Sequence, residues 1–161
     1  MPKCSRGFTL IELVIVILLI GVLASLAVSA YQTFTVRAQV SEGLNFAAGA
    51  MVPITDIYRN NGVAPANRVA AGMSPLATDS RGSYVSSVEI IDGRIDVTFG
   101  GPLAHQDIVG KSVSLTPYVG DGEAMLWRCG NAALPAGQPL EVGTRHLPPT
   151  LDNRYLPAHC R

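Results

Sequence analysis

Charge is what this sequence has least of. From Leu13 to Val36 no side chain is charged, and over the 161 residues Asp, Glu, Lys and Arg make up only 15%. The twelve basic and twelve acidic residues cancel, so no bulk electrostatic pull toward nucleic acid is implied. Catalytic signatures are missing too. No G-x-S-x-G, P-loop, dinucleotide fingerprint or HExxH occurs. His105, His146 and His159 stand apart in loop-like sequence, where each is expected to be a solvated surface residue, and no Ser, His and Asp fall at triad-like spacing. Cys129, Cys160 and His159 lack the CxxC pair or ordered ligand spacing of a metal site. An enzyme is excluded on this reading, and no catalytic residue, metal or cofactor is expected.

What the chain does have is one long apolar run, residues 8–30, about 35 Å as a helix and long enough to span a hydrocarbon core. Lys3 and Arg6 precede it, so the positive-inside rule puts the N-terminus in the cytoplasm and the remainder outside, where disulfides persist. Cys129 and Cys160 would sit outside; Cys4 would not. Within the run stands Glu12, although a charge at bilayer depth costs about 2.5–3.5 kcal/mol on insertion scales. A secretory signal peptide would use the small-residue site at Val28-Ser29-Ala30. A plain single-pass anchor would explain the length but leave Glu12 without a partner.

A third reading begins at Gly7-Phe8 and continues through Thr9-Leu10-Ile11-Glu12. This stretch resembles the class III signal sequence of type IV prepilins: a short basic leader ending in Gly, then Phe, then Glu four residues on. The resemblance extends to VRAQVSEGL (36–44), YVSSVEI (84–90), VGKSVSLTP (109–117), LWRC (126–129) and RYLPAHC (154–160), which look like type IVa major pilins. It implies a cut by prepilin peptidase between Gly7 and Phe8, N-methylation of Phe8, and retention of the apolar helix. The new α-amine would lie one helical turn from Glu12, on the same face. In a fibre, Glu12 of an incoming subunit would face the Phe8 amine of a neighbour. Because a buried carboxylate that loses its partner costs about 3–5 kcal/mol, Glu12 would fix the axial register of assembly.

The implied partners are other copies of the chain in a helical homopolymer, prepilin peptidase, the pilus assembly machinery, the inner membrane before assembly, and a host receptor or DNA. The implied location is a single-pass inner-membrane state and then an extracellular pilus fibre serving adhesion, twitching motility or DNA uptake. A type II secretion pseudopilin, or a minor pilin acting as a DNA- or receptor-binding tip, is the alternative.

The rest of the sequence supports an α+β fold, a long N-terminal helical spine packed against a four-stranded antiparallel sheet. The expected organisation is a leader at 1–7, a transmembrane and filament-core half of the helix at 8–30, and a globular head at 31–161. Val36, Val40, Leu44, Ala47, Met51, Ile54 and Tyr58 recur at helical spacing, with Arg37, Gln39, Glu42, Asn45 and Arg59 off the stripe. This amphipathic half, 31–60, is interrupted by Gly43, Gly49 and Pro53, and a bend is expected at Pro53. Many relatives carry Pro where Ser29 stands, and Ser29 need not break the helix. A long αβ-loop (61–83) follows. The sheet (84–129) is expected as strands 84–91, 94–99, 111–117 and 124–129. The first two flank Asp92-Gly93, a two-residue hairpin signal. In that register Glu89 opposes Asp96, an unfavourable pair unless a nearby Arg or Lys relieves it. Cys129 and Cys160 enclose a Pro- and Gly-rich stretch; a disulfide there would be worth roughly 3–4 kcal/mol. By resemblance, 129–160 is the disulfide-bounded D-region. Trp127 is expected to pack near the bridge.

Overall fold

A computed structural model describes residues 7–140 and 145–161. Its contacts divide the chain into two compact units, one ending at Thr35 and the other Val36–Arg161. The leader 1–7 therefore lies, apart from Gly7, outside the described residues.

The first unit is helical. A single α-helix, α1 (Leu10–Asn61), begins in it, and every residue from 7 to 32 is exposed. The helix is long and apolar enough to cross a membrane. It is unbroken at Ser29, whose carbonyl accepts from the Thr33 hydroxyl at 3.4 Å.

The second unit has a core. Its sheet runs in the order β1 (Val85–Ile91), β2 (Arg94–Phe99), β3 (Ser112–Val119), β4 (Met125–Cys129), all antiparallel, with a two-residue strand β5 (Gln138–Pro139) also on β3. The β1–β2 hairpin has the expected register, Val88 opposite Val97 and Ile90 opposite Ile95, turning at Asp92 and Gly93, both at positive φ. Pro117 does not end β3 as expected. It lies beyond the last β2 pair, where its missing N–H removes no β2 bond, and its carbonyl accepts from Leu140 N–H at 3.2 Å.

The second part of α1 covers one face of this sheet with the expected stripe, joined by Gln39, Gly43 and Ala50. Val36, Gln39, Val40, Gly43, Ala47, Ala50 and Ile54 are buried, while Leu44, Met51 and Tyr58 lie at the margins. Gln39, expected on the solvent side, is 8% exposed because its Oε1 accepts from His105 N–H at 2.8 Å. Gly43 does not interrupt the packing; it permits it. A Cβ there would come within 2.6 Å of the buried Phe99 ring, so only glycine lets the helix approach β2 this closely. Helical structure continues through Pro53 and ends at Asn61, with Gly62 at φ +72 donating to Tyr58 O at 2.7 Å.

The loop after α1 is ordered by an arginine. Arg68, 2% exposed, donates from Nε to Ser74 O at 2.8 Å, from Nη2 to Ser80 Oγ at 3.0 Å, and from Nη1 to Val88 O. Val88 belongs to edge strand β1, so the loop covers that edge.

Candidate functional site

The N-terminal segment that carries the processing motif is built around Glu12. Thr9 N–H donates to Glu12 Oε2 at 2.9 Å, Thr9 Oγ1 donates to the same oxygen at 2.6 Å, and Glu12 N–H donates to Thr9 Oγ1 at 3.4 Å. This is a reciprocal capping box. Two otherwise unpaired donors at the helix start are satisfied, α1 begins at Leu10, and Gly7, Phe8 and Thr9 lie outside the helix. Before any cut, then, Glu12 already has a local partner. The signal for this cap, Thr9-x-x-Glu12 ahead of the apolar run, is present in the sequence alone and was missing from the expectations above. Phe8 and Glu12 are both exposed.

The second site is the C-terminal region. Cys129 and Cys160 form a disulfide, with Cα atoms 4.7 Å apart. His159 is close enough to share a metal with the two sulfurs, but a disulfide has no thiolate to offer. Gly130, at φ +55, lies against the Cys160 backbone, and Asn131 N–H donates to Cys160 O at 2.9 Å. Further along, Tyr155 donates its hydroxyl to Asp107, which together with burial raises the phenol's pKa. Arg37 Nε donates to Arg154 O at 2.6 Å, tying this region to α1.

One expectation needs correction. His146 is not a solvated surface histidine. It is half-buried, with Nδ1 2.7 Å from Thr116 Oγ1 and Nε2 2.6 Å from Gly130 O. Five arginines, Arg37, Arg68, Arg94, Arg128 and Arg161, each donate to a backbone carbonyl. The Glu89–Asp96 pair does form, and Arg94 relieves it with Nε 2.9 Å from Asp96 Oδ1 and Nη2 2.8 Å from Oδ2. Trp127 is partly buried and pairs with Pro117 in the β3–β4 ladder.

One unit that is a fully exposed apolar helix and another with its own α+β core define a class: a subunit whose apolar surface is left for lipid or other chains to cover. Comparison with known proteins narrows it. Residues 36–161 match the family model of pilin, a bacterial filament, and residues 2–28 match the prokaryotic N-terminal methylation motif. A fimbrial protein of Neisseria meningitidis serogroup A is 37% identical, covering 100% of this chain and 96% of that protein. A type IV major pilin protein PilE1 of Neisseria gonorrhoeae is 36% identical over 100% of this chain and 89% of that protein. Fimbrial protein EcpC of Eikenella corrodens is 34% identical, covering 100% and 94%. The chain belongs to the pilin family. It is a structural subunit of an extracellular filament built by self-polymerisation, not an enzyme.

Proposed function

We propose that the chain is a type IV prepilin, cut between Gly7 and Phe8 by prepilin peptidase, N-methylated at Phe8 and drawn from the inner membrane into a pilus fibre by the assembly machinery. Residues 8–30 serve first as the membrane span, N-terminus in the cytoplasm, and then as the filament core; residues 31–161 form the head. The observation that carries this reading is a lone carboxylate, Glu12, at the start of an exposed apolar helix, directly after a Gly7–Phe8 bond that lies outside that helix. Cleavage turns the Phe8 nitrogen into a cation four residues from Glu12. The carboxylate then has three claimants: its own cap at Thr9, its own terminus, and the terminus of a neighbouring copy. Pairing with the neighbour sets the stagger between subunits.

Similarity to type IV major pilin proteins and the disulfide-bounded region favour a major pilin over a type II secretion pseudopilin. Recognition of DNA by the head is the less supported reading, because phosphate contacts need free cations on one face and five arginines already donate to backbone carbonyls. A host receptor would meet the head through its exposed loops.

Intact mass and N-terminal fragmentation of protein sheared from cells test the proposal. A chain beginning at Phe8 with one added methylene is expected. A chain beginning at Tyr31 would mean ordinary secretion, and one beginning at Met1 in the membrane a plain anchor; either sinks the proposal.

A further inference from the structure

The sheet face turned away from α1 is polar yet closed. Strand alternation puts Arg94 and Asp96 of β2, Thr116 of β3 and Arg128 of β4 on it. Thr116 is fully buried, at 0% exposure. The arm of the disulfide-bounded region at residues 145–150 returns over this face. Arg94 Nη1 donates to Arg145 O at 2.7 Å, His146 bridges Thr116 and Gly130, and Thr150 N–H donates to Ser112 O at 3.0 Å.

We infer that His146 is an acid-sensitive latch holding the 145–150 arm on the sheet. Its protonation state follows from its partners. The Gly130 carbonyl can only accept, so Nε2 carries the proton, and Nδ1 is left with a lone pair that the Thr116 hydroxyl donates to. The Gly130 bond survives in either protonation state, but the bond from the Thr116 hydroxyl to Nδ1 exists only for the neutral ring. A second proton on Nδ1 points at a hydroxyl that must rotate its own hydrogen elsewhere within a fully buried site. The charged groups facing the ring add to this. Arg128 and Arg94 oppose a cation, and only Asp96, already chelated by Arg94, favours one. Burial is the largest influence lowering the His146 pKa, and the Gly130 bond works against it. Since the folded value lies below the unfolded one of about 6.5, the latch contributes fully above that pH and is lost as pH falls from there toward the folded value.

Hydrogen exchange of the full-length chain in detergent micelles, at about pH 7.5 and about pH 5 and expressed relative to the unfolded-chain rate at each pH, tests this. The Thr150 amide, which donates to Ser112 O, and the Ser112 amide, which donates to Thr150 Oγ1, are expected to lose protection roughly three- to ten-fold on acidification, while the β1–β2 hairpin stays protected. H146Q, with no titrating ring, is expected to show equal protection at both pH values. PH-independent protection of the arm in the wild-type chain, or an undiminished loss in H146Q, would overturn the latch. If hairpin exchange shows that H146Q is unfolded, the wild-type ring resonances decide. Titration in step with arm release supports the latch, and titration at a different pH overturns it.

Discussion

The two parts of α1 bury apolar surface by opposite strategies. Up to residue 32 the helix is Leu-, Ile- and Val-rich on every side and wholly exposed. From Val36 on, one face is buried, Val36, Val40, Ala47, Ala50 and Ile54 with Gly43 at a close approach to Phe99, and the opposite face stays exposed. Where the partner is the chain's own sheet, the helix admits it closely at Gly43, and its polar groups find bonds: Gln39 with His105 N–H, and Glu42 accepting from Tyr84 N–H at 2.9 Å. Where no partner is present in the single chain, no face is distinguished, as expected for a segment that lipid and then several other copies must surround. The one charged exception in the first turn, Glu12, is hydrogen-bonded locally by Thr9, which satisfies the carboxylate without cancelling its charge.

The largest break in this contrast is Glu12→Ala. It removes the carboxylate from the exposed part and touches nothing in the head, so fibre formation is expected to be lost while head melting and cleavage after Gly7 persist. Normal piliation counted by electron microscopy would remove Glu12 from the assembly step. Next comes loss of the bridge by Cys129→Ser or Cys160→Ser, expected to cost the head about 2–5 kcal/mol and lower pilus yield. Unchanged thermal melting of the full-length chain would contradict it.

How far the sequence discloses this contrast depends on the kind of interaction. Apolar periodicity, the Asp92-Gly93 turn and the Cys129–Cys160 pairing were all legible, because each rests on local chemistry or on two matching residues. The Thr9–Glu12 cap was equally local and could have been read. The buried roles of Gly43, Arg68 and His146 were not legible. Each depends on what faces it from afar: Phe99 is 56 positions from Gly43, Val88 is 20 from Arg68, and Thr116 is 30 from His146. A glycine in a helix or a histidine in a loop carries no mark of such a neighbour. The polar residues at 114 and 116 hinted at a solvated face, and only the returning arm closes it.

Gly43→Ala probes the same contact from the helix side. The added Cβ meets a ring that is itself fully buried, so overpacking of about 1–3 kcal/mol is expected despite alanine's better helix propensity. A gain in melting temperature would mean that Phe99 has room to move.

The smallest effect separates the two parts most cleanly. Val16 and Val40 are the same residue on the same helix, one 43% and the other 0% exposed. Val40→Ala removes two methyl groups from a packed site and is expected to cost about 2 kcal/mol in denaturant melting of the full-length chain. Val16→Ala leaves no cavity in the single chain, so a change within about 0.5 kcal/mol is expected. In the assembled fibre the order should tighten, because Val16 would then be covered by neighbouring copies while Val40 keeps the partners it already has. Fibre dissociation by detergent is therefore expected to respond to Val16→Ala although the melting of the isolated chain does not. Indifference in both assays would mean that this side of the helix stays uncovered in the filament.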